Sequence, residues 1–192
     1  MKQFSNRYIF IFSIVMVVIV AALLSLAATL LQPAQERNLE IEKKKSMLES
    51  IQIPATRNNA QELYDKYIKE SFVLNIKGEP VEGVDPFTVV LRYEQKKPLE
   101  EQYLPVFRAE PDDGEKVIIL PVEGKGLWGP IYGYVSLQSD LNTIYGVTFD
   151  HKSETPGLGA EINTTPFESM FQGKKLYENS NFVSVPFYGH TT

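Results

Sequence analysis

From Tyr8 to Leu31 the chain runs for 24 positions without a charged side chain, "YIFIFSIVMVVIVAALLSLAATLL". At about 1.5 Å per residue a helix of that length exceeds the roughly 30 Å hydrocarbon core of a bilayer, which predicts a transmembrane helix. Lys2 and Arg7 precede the run and the small pair Ala27-Ala28 lies near its end, as in a secretory signal. Signal h-regions extend over only about 7–15 residues, however, so the length favours a membrane anchor. Pro33 is expected to end the helix, because proline lacks the N–H that a helix interior needs.

Residues 34–52 are charged and rich in helix formers, with Leu39, Met47, Leu48 and Ile51 as apolar positions, and predict a juxtamembrane helix. Its Glu42-Lys43-Lys44-Lys45 run reads as a solvated face. A second helix is predicted over 59–70. Asn59 and Glu62 have the spacing of a capping box, and Leu63, Tyr64, Tyr67 and Ile68 recur at helical spacing for core packing.

From residue 71 the texture changes to β-rich stretches punctuated by Gly and Pro. "FVLNIKGEP" and "FTVVLRY" read as strands, and "EPDDGEK" as a turn before the buried strand "VIILPV". "IYGYVSLQ" and "TIYGVTFD" follow as two more strands joined by "SDLN". A third helix is predicted over 160–172. The pattern as a whole predicts an α+β chain: a tail (1–7), a transmembrane helix (8–31), a helical connector (32–70) and a largely antiparallel domain (71–192).

Charge narrows the partners. All 24 acidic residues and 17 of the 19 basic ones lie beyond residue 31, so the extramembrane part is acidic and nucleic acid is excluded as a partner. Lys and Arg flank both ends of the span, so the positive-inside rule assigns it no orientation. The transmembrane stretch contains no ionisable Asp, Glu, Lys or Arg to suggest an ion path. With no cysteine, disulfides, thiolate metal sites and cysteine nucleophiles are excluded.

Two glycine-rich stretches carry the candidate chemistry. In "GKGLWGP", Gly124, Gly126 and Gly129 match the dinucleotide fingerprint G-x-G-x-x-G. That fingerprint needs a helix after it to receive the pyrophosphate, and here Pro130 and an alternating β-rich run follow instead. The Rossmann reading therefore fails. Trp128, the only tryptophan, either closes the core at a tight β-connection or presents an indole to a flat aromatic ligand. In "HKSETPGLGAEI", Thr155-Pro156-Gly157-Leu158 fits a type II turn leading into a helix N-terminus. That loop is either a donor of N–H groups to a ligand or a plain connector. His151 and His190 lack carboxylates at metal-ligand spacing, Ser153 beside His151 is adjacency in sequence only, and Asp112-Asp113 and Glu100-Glu101 read as solvated charges.

Taken together, "GKGLWGPIYGYVSL" and "TIYGVTFDHKSETPGLGAEI" resemble the C-subunit family of the bacterial Na+-translocating NADH:quinone oxidoreductases. This is an FMN-binding domain family shared with the G subunit of the Rnf electron-transport complex, which has E-T-P-G-L-G but a G-Y-S-G-like loop in place of "GLWGP". The resemblance implies a flavin subunit of a sodium-pumping inner-membrane complex. In such a complex the packed domain lies on the periplasmic side, the partners are the other subunits and membrane lipid, and the flavin relays electrons toward quinone. It also implies that Trp128, Glu154, Thr155, Gly157, Leu158 and Gly159 line the flavin, with Trp128 and Leu158 beside the isoalloxazine ring and N–H groups of 157–160 on its polar edge. No catalytic and no metal residues are implied.

The family attaches FMN through its phosphate to a threonine in an S-G-A-T-like motif. No Ser-Gly-Xaa-Thr occurs in these 192 residues, and Thr191 and Thr192 follow Gly189 without the serine. The expectation is a chain cut short of the family's last strand and helix, with FMN not covalently bound. The alternative is a membrane-anchored assembly subunit without flavin.

Overall fold

The computed structural model describes residues 5–179 and 181–183. Residues up to Glu40 form one unit and residues from Ile41 onward a second, packed one.

A single helix, α1 (Asn6–Ser50), runs through both predicted helices and the proline between them. Pro33 does not end it. The residues that follow, Ala34 to Arg37, are strong helix formers, and the Gln32 amide donates to Glu36 Oε1 at 2.8 Å, bridging the turn where the proline removes a backbone donor. The uncharged stretch within α1 is long and apolar enough to cross a membrane, with mean hydropathy 3.1 over its most apolar window.

In the packed unit, the last turns of α1 supply Met47, Leu48 and Ser50, and Ile51 just beyond it joins them, all fully buried. Helix α2 (Ala60–Tyr67) follows and ends three residues earlier than predicted, because Ile68 already begins strand β1 (Ile68–Leu74). Asn59 does not form a capping box: its Oδ1 accepts from the Thr56 N–H and hydroxyl, and no side-chain bond caps α2. After β2 (Pro80–Val81) the predicted strand "FTVVLRY" is instead a 3-10 turn, Pro86–Thr88, and a short helix α3 (Leu91–Glu94). Asp85 explains the difference. Its carboxylate accepts the Phe87 N–H at 2.9 Å with Pro86 at the first helical position, a local start signal that outweighs β-propensity. Phe87 then packs between Tyr64 and Phe107, with ring centroids 5.7 and 5.5 Å away.

Strands β3 (Leu104–Ala109), β4 (Val117–Lys125), β5 (Pro130–Leu137) and β6 (Ile144–His151) complete an antiparallel sheet of order β2-β1-β3-β4-β5-β6. The β3–β4 ladder holds only over Phe107↔Ile119, Arg108↔Ile118 and Ala109↔Val117. Extending that register would set Pro105 opposite Pro121, two residues without an N–H, and the ladder stops before reaching them.

Both faces of the sheet are covered. Met47, Leu48, Ile51, Tyr67 and Ile68 pack with Phe107, Ile119 and Tyr134 on one face. Leu137, Ile144 and Val147 are buried on the other against Phe149, Phe171 and Leu176. Phe149, Phe167 and Phe171 meet there with centroids 5.3 to 6.1 Å apart. The predicted helix over 160–172 resolves into a 3-10 helix, Gly159–Asn163, and helix α4 (Thr165–Ser169), broken by the extended Thr164 ahead of Pro166. A small hairpin, β7 (Tyr177–Glu178) with β8 (Asn181–Phe182), ends the described chain.

Two charge readings change. Lys44 is not on a solvated face: it is 6% exposed, its ammonium donates to Gln61 Oε1 at 2.6 Å, and it lies over the rings of Tyr64 and Phe87. Asp112 and Asp113 are exposed but not merely solvated. Asp112 accepts the Tyr67 hydroxyl at 2.6 Å and Asp113 the Tyr145 hydroxyl at 2.8 Å.

Candidate functional site

The segment "GLWG" is the hairpin loop between β4 and β5, closed by a bond from the Gly126 N–H to the Gly129 carbonyl at 2.8 Å. A strand follows the glycines, so no helix stands there on which a pyrophosphate could sit. Next to β5 runs β6, in a register that sets Ile131 opposite His151. The Lys152 N–H extends that pairing to the Pro130 carbonyl at 3.1 Å. Strand order alone therefore brings residues 126–129 beside residues 152–159.

Side chains then join the two loops. Glu154, 8% exposed, accepts both the Trp128 N–H (2.9 Å) and the Gly129 N–H (3.2 Å) on Oε1. The Ser153 hydroxyl donates to the Trp128 carbonyl at 2.9 Å. The Glu154 N–H is in turn held by His151 Nδ1 at 3.3 Å. Ser153 and His151, set aside on sequence grounds, are thus structural members of the site. Only the β5–β6 register, invisible in a linear reading, could have singled them out.

Because its backbone is held on both sides, Trp128 keeps its indole outside the protein: it is 67% exposed, with Leu127 at 83% and Leu158 at 73%. The structure thus rejects the reading in which Trp128 closes the core. Large apolar side chains exposed on two adjacent loops make this pair of loops the candidate site.

The second loop folds as its sequence predicts. Leu158 N–H donates to the Thr155 carbonyl at 3.1 Å and Gly157 has φ +75°, the signature of a type II turn with glycine at its third position. The N–H groups expected to face a ligand are largely engaged within the loop. Gly157 donates to Glu161 Oε1 at 3.0 Å, and Leu158 and Ala160 both donate to the Thr155 carbonyl. Glycine at 126 and 159 has a different cause. A Cβ on Gly126 would overlap Glu154 Oε1, and one on Gly159 would lie 2.7 Å from Glu154 Oε2. Of the predicted site residues, Trp128, Glu154, Thr155, Gly157, Leu158 and Gly159 all fall in this one patch. The C-terminal threonines 191 and 192 lie outside the described residues.

This patch opens the stretch matched by a family model described as "FMN-binding domain", residues 126–185. The chain is 33% identical over 174 residues to the C subunit of the Na(+)-translocating NADH-quinone reductase of Haemophilus ducreyi, covering 83% of this chain and 68% of that protein. It belongs to this C-subunit family. Two solved members share the fold. The C subunit from Parabacteroides distasonis superposes with a TM-score of 0.73 at 41% identity, over 80% of this chain and 74% of that one. Shewanella oneidensis NqrC does so with 0.61 at 25%, over 76% and 73%. Membership places the chain among the subunits of an oxidoreductase complex, and the α+β fold with its N-terminal apolar helix agrees.

The residues present fit the ring system of FMN. An isoalloxazine needs a flat apolar partner, which the exposed Trp128 indole provides with the apolar Leu158 side chain on the adjacent loop, and a close approach to backbone, which is open at Gly157, where nothing lies within 4 Å of the Cβ position.

Proposed function

We propose that this chain is the FMN-carrying electron-transfer subunit of a Na+-translocating NADH:quinone reductase, anchored in the membrane by residues 8–31. The observation that carries this reading is the paired loop: Trp128 and Leu158 stand exposed on two segments fastened together by Glu154. Membership of the C-subunit family and the match to the FMN-binding domain support it.

In this reading Trp128 and Leu158 flank the ring, and the backbone from Thr155 to Gly159 shapes its edge. FMN, when bound, supplies reversible one- and two-electron chemistry. The protein's part is to orient the ring and set its surroundings: an indole face on one side, and no titrating side chain required. Electrons pass toward quinone through the other subunits, in an inner membrane with the packed unit on the periplasmic side. These 192 residues offer no Ser-Gly-Xaa-Thr for a phosphoester, so flavin retained by them alone is held by these contacts.

The test is to purify the full chain in detergent, add FMN, and follow quenching of Trp128 and flavin fluorescence together. Saturable quenching of both supports the reading. No quenching at millimolar FMN would leave the flavin-free assembly role as the better account. A flavin band that survives a denaturing gel would establish a covalent bond.

A further inference from the structure

Glu154 sits at the centre of the flavin patch yet presents nothing to a ligand. The residue is 8% exposed, and Oε1 is occupied by the N–H groups of Trp128 and Gly129 at 2.9 and 3.2 Å. Oε2 faces Gly159, where even a methyl group would come within 2.7 Å. The carboxylate thus touches both loops and fills the space between them. Ser153 completes the hold from the opposite side, its hydroxyl on the Trp128 carbonyl at 2.9 Å. The Trp128 residue is clamped at N–H and at C=O by two neighbouring residues of the other loop.

We infer that Glu154, assisted by Ser153, is a positioning residue that sets the angle and distance of the Trp128 indole relative to Leu158 without touching the cofactor. The inference rests on the flavin reading of this patch, and it revises the role the sequence resemblance gives Glu154. The physical reasons are three. A four-residue hairpin loop with glycines at both ends has little stiffness of its own, since glycine restricts neither φ nor ψ. An exposed indole gains no packing to hold it. A buried carboxylate accepting two backbone N–H groups makes charge-assisted bonds and, once desolvated, cannot easily exchange them for water. Glycine at 126 and at 159 follows from the same cause, as the two positions that the carboxylate crowds.

The chain's single tryptophan makes this measurable without flavin. Three variants of this 192-residue chain in detergent are compared: Glu154→Gln, which keeps an acceptor oxygen of the same shape; Glu154→Ala, which removes it; and Ser153→Ala. In the flavin-free state, Trp128 fluorescence anisotropy should fall in Glu154→Ala, fall less in Ser153→Ala, and hold in Glu154→Gln. With FMN added, affinity should drop by about tenfold in Glu154→Ala, the worth of one aromatic contact no longer held in place, and by under about threefold in Glu154→Gln.

The inference is overturned if Glu154→Ala keeps wild-type anisotropy. It is also overturned if Glu154→Gln binds FMN as weakly as Glu154→Ala, because charge at the ligand would then be what matters. Should Glu154→Ala lose its thermal unfolding transition, Ser153→Ala and Glu154→Gln decide: lowered anisotropy in the first with wild-type values in the second supports the clamp, and any other combination overturns it. A wild-type chain that binds no FMN, with anisotropies as expected, removes the flavin reading and leaves the loop-holding role standing. Intact FMN binding with unchanged anisotropies does the reverse.

Discussion

The carboxylate of Glu154 accepts the backbone N–H of Trp128 at 2.9 Å, across 26 residues of chain. Around this bond two glycine-rich loops become one surface, and the consequences reach each loop separately.

Trp128→Ala should weaken FMN binding by about tenfold, the combined worth of lost ring stacking and apolar area, while Trp128→Phe recovers much of it. Neither substitution should move the thermal midpoint by more than about 1 °C, since the indole is 67% exposed and contributes little to the core. Titration with FMN and a melting curve on the same sample check both statements. A large drop in the midpoint would show instead that the indole packs inward.

Gly124 and Gly126 of "GKGLWGP" should behave differently from one another. A Cβ on Gly124 meets only Ile131 side-chain atoms at 3.5 and 3.8 Å, ordinary contact, so Gly124→Ala should be neutral. A Cβ on Gly126 would overlap Glu154 and lie 2.8 Å from the Gly129 carbonyl, which is backbone and cannot yield. Gly126→Ala is expected to cost about 1–3 kcal/mol, the usual penalty of overpacking, measured by denaturant unfolding. Equal effects at the two positions would contradict the hairpin geometry described.

In the packed unit, Leu48→Ala should destabilise by about 2–5 kcal/mol, because a fully buried leucine leaves a cavity when truncated. Leu39→Ala, nine residues earlier on the same helix, removes an exposed side chain and should change nothing in a soluble-phase unfolding curve. The pair tests where α1 enters the core.

Glu168 gives the pH dependence. Burial raises its carboxyl above the usual range and the like charges of Glu49 and Asp150 add to this, while the Phe149 N–H that it accepts acts the other way. The folded state therefore binds the proton more tightly than the unfolded chain, and its contribution to stability is lost as pH rises from 4.5 through the raised value. Glu168→Gln keeps the acceptor for Phe149 and removes the charge. It should be more stable than the wild type at neutral pH, with the difference closing below pH 4.5. A variant that is less stable at pH 7 would show that the Phe149 bond needs the full carboxylate.

What the sequence made legible was the period-2 texture of β5 and β6, the turn at Thr155–Leu158, and the uncharged run of α1. Each is local, and each rests on residue types with one dominant conformation. What it hid was decided by partners distant along the chain. "LPVFRA" carries a proline and an arginine and gave no strand signal. It forms β3 because at Pro105 the ladder to β4 is absent, so the missing donor costs nothing there. Lys44 reads as solvent-facing beside Lys43 and Lys45, and only the fold brings Tyr64, Phe87 and Gln61 around it. The candidate patch was legible as two loops rich in glycine. That Glu154 binds the other loop's backbone, and that Ser153 shares the task, depends on the β5–β6 register and could not be read along the line.

The meander of β4, β5 and β6 has a kinetic meaning as well. The bonds that build the loop pair close over 26 and 25 residues, whereas those that dock the end of α1 on the sheet, Ser50 to Ser136 and Thr148 to Ser46, close over 86 and 102. Loop closure becomes costlier with length, and chains rich in short-range pairings fold sooner. On refolding, the environment of Trp128 should therefore be restored in an early phase, ahead of the slower burial of Leu48 and Ile51. Stopped-flow anisotropy set against hydrogen-exchange protection of the α1 amides would show one phase leading the other. The paired-loop surface would then be complete while the end of the helix that carries the long apolar stretch is still finding its place on the sheet.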